Sequence, residues 1–239
     1  MNGREYRNGA PVAAFLFVLG TGCAFNTLST GETQTESRSV DLPKAEMVHA
    51  ELRMGAGELR LDGGAAKLME GQFRYNVADW KPEIRYDQTG FRGQLLIEQS
   101  GKGGASGNVV NDWNVRLNGT LPLDLDVKLG AGEAHLDLGG LTMRSASVKM
   151  GAGTSEIKFS SEPRHSFDLN LRGGVGEATV RIPKTVGAIA KAKGGLGEIN
   201  VRGFSKDGDS YVNDAYGKSK VVINVDVQGG IGQINLYSE

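Results

Sequence analysis

One cysteine in 239 residues, Cys23, rules out an intrachain disulfide, so stability has to come from packing. Three histidines occur, His49, His135 and His165, and none has a partner at metal-ligand spacing. Lysine plus arginine (27) and aspartate plus glutamate (28) nearly cancel, leaving no surplus positive charge for nucleic acid. After residue 22 no apolar run reaches the roughly 20 residues that a membrane-spanning helix needs. No serine stands in a strand-turn-helix nucleophile context. These absences predict a protein that is not an enzyme and needs neither metal nor cofactor.

The one long apolar stretch comes first. Arg4 and Arg7 precede Ala10-Pro11-Val12-Ala13-Ala14-Phe15-Leu16-Phe17-Val18-Leu19, and the small residues Gly20, Thr21 and Gly22 lead into Cys23. A basic start, an uncharged apolar centre and a small-residue end are the layout of a signal peptide over residues 1–22. Leu19-Gly20-Thr21-Gly22-Cys23 resembles the bacterial lipobox, whose cysteine is acylated and becomes the first residue of the mature protein. The leucine here stands four places before the cysteine, where the lipobox usually has it three before. The resemblance implies two or three acyl chains, which at ~0.8 kcal/mol per buried methylene would hold the protein durably on a membrane. The expected location is the extracytoplasmic side of a bacterial cell envelope, with the membrane itself as a partner. Residues 23–46, rich in Thr, Ser, Glu and Gln, carry too little apolar surface to offset ordering entropy and are expected to form a flexible tether.

From residue 50 onward one pattern recurs six times: an alternating strand, a glycine cluster, another alternating strand. The copies span residues 51–61, 127–136, 148–159, 169–180, 190–201 and 225–236, with last glycines at 57, 132, 153, 176, 197 and 232. Spacings of 21 and 23 residues with strand alternation are those of a solenoid whose coils stack on one another. Much of the glycine, 36 residues in all, belongs to its corners. From the last inward residue before a cluster to the first after it the step is five (Met54 to Leu59) or seven (Met150 to Ile157), always odd. Same-face residues of an unbroken strand are an even number apart, so each cluster has to be a bend or bulge. The fold class expected is all-β: a parallel β-helix of glycine-cornered repeats over residues 121–239. Residues 47–120 should form an N-terminal β portion that continues or caps the stack, with strand candidates at 71–77, 83–87, 93–99 and 113–118.

Trp113-Asn114-Val115-Arg116-Leu117-Asn118, then Leu121-Pro122-Leu123-Asp124-Leu125-Asp126-Val127 leading into Leu129-Gly130-Ala131-Gly132-Glu133, and the run Tyr211-Val212-Asn213-Asp214-Ala215-Tyr216-Gly217 resemble the toast-rack family. The resemblance covers residues 47–239. It implies a β-helical domain in a bacterial envelope setting, related to the C-terminal half of membrane proteins that respond to cell-wall antibiotics, and it carries over no catalytic residue. Those relatives place membrane-spanning helices ahead of the domain, where this sequence has its lipidation motif.

Two features are candidates for binding. Glu58, Glu133, Glu177 and Glu198 each follow a glycine cluster, so stacking would set neighbours about 4.8 Å apart along one edge. Such a ladder reads either as a calcium site or as a solvated edge, and the interruptions at Thr154 and Gln233 favour the second. The lone run Gly173-Gly174-Val175-Gly176 leads into an alternating strand rather than a helix, unlike a phosphate-cradling loop. The excursion between the fifth and sixth repeats offers Phe204, Tyr211, Asn213, Asp214 and Tyr216 as a contact surface for an envelope protein or a cell-wall glycan; the alternative is that Tyr211 and Tyr216 cap the core. The function expected is a non-catalytic binding or scaffold lipoprotein. An accessory modulator of an envelope-stress sensor comes next, and a polysaccharide-processing enzyme on a β-helix last.

Overall fold

Apolar and polar residues alternate through nearly every segment that becomes a strand. The computed structural model describes residues 28–101 and 103–239, so Cys23 and the expected signal peptide lie outside it. In chain order the strands are β1 (Gln34–Val40), β2 (Met47–Asp62), β3 (Met69–Tyr75), β4 (Pro82–Thr89), β5 (Arg92–Gln99), β6 (Asn111–Leu117), β7 (Pro122–Asp137), β8 (Thr142–Lys158), β9 (Phe167–Ile182), β10 (Gly187–Lys193), β11 (Leu196–Arg202), β12 (Phe204–Asp207), β13 (Ser210–Asn213) and β14 (Val222–Ser238). One 3-10 turn, Ala78–Trp80, is the only helical element among the described residues.

β2, β7, β8, β9 and β14 are 16 or 17 residues long, and each consists of two arms joined at a glycine cluster. In β7 the first arm turns Leu123, Leu125, Val127 and Leu129 inward, and the second turns Ala134 and Leu136 inward. The change of parity falls at the cluster, as the odd spacing requires. Two demands fix the glycine there. Gly132 has φ +126°, which L side chains rarely adopt, and a Cβ on it would lie 1.9 Å from the carbonyl oxygen of Gly57 on the neighbouring rung.

The rungs stack parallel and in register, so equivalent side chains fall into files. Leu61 opposes Leu136, Leu136 opposes Ile157, Ile157 opposes Val180 and Val180 opposes Leu236, and all five are buried. Full burial of such a side chain is worth about 1.5–3 kcal/mol. Repeated over the files, it makes one continuous core. At the β2 end the stack is finished by split pieces: β5 runs parallel to the first arm of β2 with β4 antiparallel beyond it, while β6 runs parallel to the second arm with β3 and then β1 antiparallel beyond it. The all-β, glycine-cornered stack is the expected architecture.

Three expectations need correction. The rungs do not stack in chain order: β14, the sixth copy, lies between β9 and the fifth copy, pairing with β9 on one side and with β10 and β11 on the other. The long excursion after the fifth copy supplies the chain needed to pass that rung and return. Residues 34–40 are not tether but the edge strand β1, paired antiparallel over seven residues with β3. Composition misled because an edge strand exposed on both faces is held by backbone hydrogen bonds and by side-chain contacts beyond the strand, here Glu36 with Tyr75 of β3 at 2.5 Å and with Lys81 at 3.0 Å, not by burial. Ile199, which the alternation after the fifth glycine cluster turns inward, is nonetheless exposed, because β11 is the last rung of its arm and no strand among the described residues covers it.

Candidate functional site

Parallel register turns the sequence on either side of each bend into files across the rungs. The outward residues just before the clusters are Arg53, Lys128, Lys149, Arg172, Gln228 and Lys193, each opposite the next. Just after the clusters run Glu58, Glu133, Thr154, Glu177, Gln233 and Glu198. The glycine bends therefore separate a file of cations from a file rich in carboxylates, with neighbours about 4.8 Å apart. A third file crowns the bends themselves: Ala56, Ala131 and Ala152, then Val175, Ile231 and Leu196. The last three are 53%, 53% and 72% exposed, a short apolar ridge at one end of an otherwise small-residue spine.

Beside the cation file lies a groove of about 1240 Å³, bounded by the first-arm ends of β2, β7, β8 and β9 and, opposite, by Trp80, Gln99 and the glycine-rich loop after β5. Arg53, Lys128, Lys149 and Arg172 all line it. Two of these are partly neutralised. Glu51 takes Arg53 at 2.7 Å and Lys128 at 2.5 Å, and Arg53 also reaches Glu98 at 3.5 Å. The hydrogen bond from Arg53, with that from Lys128, holds the Glu51 carboxyl down at about 2. Lys149, Arg172 and Lys193 enter no ion pair among the described residues.

The acidic file does not converge on one point. Glu58 pairs with Arg60, Glu133 with His135 at 3.3 Å, and Glu177 accepts from Asn235 Nδ2 at 2.6 Å. Further along the second arm, Arg181 bridges Glu156 at 2.9 Å and Glu239 at 3.0 Å, and the Arg181 hydrogen bond holds the Glu156 carboxyl below its usual range. Calcium takes six to eight oxygens around one centre, and among the described residues no three acidic or histidine groups gather so. The solvated-edge reading fits this geometry.

The expected contact surface between the fifth and sixth repeats is divided. β12 and β13 form a hairpin that covers the outer edge of β10, pairing Ala190 with Tyr211. Phe204 and Tyr211 are half-buried against the core, so Tyr211 caps it. Asn213 does not belong to a surface at all: it is 4% exposed, its Nδ2 donates to the Val186 carbonyl at 2.7 Å and to Ser238 Oγ at 3.1 Å, and its Oδ1 accepts from the Ala188 amide at 2.9 Å. It pins the hairpin to the turn before β10. Asp214 and Tyr216 are exposed and can meet a partner. Cys23 lies outside the described residues. The cation file was the feature missed from sequence, although its signal is plain there: Arg53, Lys128 and Lys149 stand two places before a first glycine, Arg172 and Lys193 one place before.

Comparison with known proteins bears on the same region. The family model for the N-terminal domain of toast_rack, DUF2154, matches residues 29–181, from before β1 through most of β9. The crystal structure of a "putative cell adhesion protein" from Clostridium sporogenes is 37% identical and superposes with a TM-score of 0.83 over 87% of this chain and 100% of its own. A "putative adhesin" from Bacteroides fragilis aligns over 87% of this chain and 99% of its own, but at 8% identity and a TM-score of 0.34. Comparison with curated proteins gave no match.

Proposed function

We propose that this chain, which belongs to the toast-rack family, is a non-catalytic binding module of the bacterial cell envelope, carried on the outer side of a membrane by lipid on Cys23. The observation that carries the binding part is the groove of about 1240 Å³ that crosses four stacked rungs with exposed cations along one wall. A stack whose files are buried rung after rung presents those groups on a rigid surface, which lowers the entropy lost when a partner is bound. The Clostridium sporogenes relative's assignment to cell adhesion supports the same reading. The anchor rests on the lipobox resemblance around Cys23.

Two measurements test the halves separately. Purified protein should be retained saturably on isolated envelope of the producing bacterium, and a failure to be retained overturns the binding reading. Cys23→Ser should move the protein from the membrane fraction to the soluble fraction. Persistence in the membrane fraction overturns the lipid anchor and leaves the groove untouched.

A further inference from the structure

We infer that the groove is a site for a linear acidic polysaccharide, laid along the stack axis so that carboxylates on its sugars meet the cations of neighbouring rungs. This rests on the envelope-binding reading above and names its ligand.

Arg53, Lys128, Lys149 and Arg172 face the solvent in direct cross-strand register on consecutive rungs. Like charges directly opposite each other on neighbouring strands weaken a sheet. Glu51 and Glu98 relieve the first two, while Lys149 and Arg172 have no carboxylate partner among the described residues. Lys149 makes no side-chain hydrogen bond among the described residues and Arg172 donates to Gln228 Oε1 alone, so an anion lying across them removes their repulsion. Among the described residues, Glu98 is the only acidic side chain in the groove lining.

The groove crosses four rungs, three steps of about 4.8 Å, or about 14 Å in all, which suits a chain running perpendicular to the strands. Its cation wall is free of bulk at the bends because no side chain fits there: a Cβ on Gly130 would lie 2.3 Å from the Gly55 carbonyl oxygen, and one on Gly151 2.3 Å from that of Gly130. The opposite wall includes Trp80 and Gln99.

One cation per rung matches one charge per sugar better than the dense charge of a polyphosphate or a nucleic acid. The near balance of the whole molecule, 27 basic against 28 acidic residues, points the same way.

The test titrates the purified full chain with polygalacturonate, which carries a carboxylate on every sugar, with neutral dextran and with polyphosphate. Saturable binding of polygalacturonate is expected, with none of dextran, weakening steeply between about 0.05 M and about 0.5 M salt as screening sets in. The double variant Lys149→Gln, Arg172→Gln should bind about tenfold more weakly or worse. The variant Lys158→Gln, Lys184→Gln, which removes two exposed lysines that do not line the groove, should bind as the parent does. Equal binding by the Lys149, Arg172 variant, equal binding of dextran, or tighter binding of polyphosphate than of polygalacturonate would each overturn the inference. If envelope retention holds while polygalacturonate fails, only the ligand class falls; if both fail, the binding reading falls with it.

Discussion

Gly153 lies against Gly132 so closely that a Cβ on the first would stand 1.9 Å from the carbonyl oxygen of the second. The contact recurs from rung to rung, since a Cβ on Gly176 would stand 1.8 Å from the Gly153 carbonyl oxygen. Here the backbone of one bend is the packing surface of the next.

Gly153→Ala should therefore be severe. Its φ of +124° and the contact with Gly132 both oppose a side chain, and a loss of at least about 2 kcal/mol is expected from denaturant melts. Gly173, in the same cluster region of the next rung, has ordinary φ and nothing within 4 Å of its Cβ position. Gly173→Ala should leave stability unchanged or raise it by up to about 1 kcal/mol. Equal effects of the two would show that the bends are not packed backbone to backbone.

Val180 is 1% exposed and sits between Ile157 and Leu236 in an unbroken buried file. Val180→Asp places an unpaired charge there and should cost about 3 kcal/mol or more, enough to abolish a cooperative melt in a marginally stable domain. Ile231→Asp, on the exposed ridge, should change stability by no more than about 0.5 kcal/mol. A melting curve of the Val180 variant that overlays the parent's would refute the inward assignment.

Acid should loosen β1 first. The hydrogen bond from Tyr75 at 2.5 Å, then that from Lys81, holds the Glu36 carboxyl at about 2, below the usual 4.5. A carboxyl whose folded pKa is lowered contributes stability above its unfolded pKa and loses it as the proton binds. The contribution of Glu36 is thus whole above pH 4.5 and fades as pH falls toward 2. Hydrogen exchange of the β1 amides should accelerate over that window, and Glu36→Gln should make it fast at neutral pH as well. Exchange at β1 that is insensitive to both would mean that backbone pairing with β3 alone holds the strand.

What could be read from the sequence was whatever depended on local period. Alternation around Leu125, Val127 and Leu129 marks a strand whatever lies beside it, and the odd step from Met54 to Leu59 demands a bend before any partner is known. Both are visible in the structure. What depended on partners was hidden. Nothing in residues 225–236 says that β14 fits between β9 and β10 rather than beyond them, because its apolar pattern suits either place. Gln34–Val40 pairs through its backbone, which composition does not record. Asn213 read as a surface group because polar residues in loops usually are, yet three hydrogen bonds satisfy it in the interior. The cation file was spelled out in the repeats and overlooked because outward charges on a strand ordinarily mean solvent.

The position of β14 bears on how the molecule assembles. Rungs β2, β7, β8 and β9 can zip up one after another as each is made, but β10 and β11 have no finished sheet edge to join until β14 arrives. The rung translated last of those described is a keystone, and until it arrives the one made just before it has only β13, beside β10, to pair with. A chain halted before Val222 would keep the lower rungs while leaving that arch open, with the apolar edge of β9 uncovered.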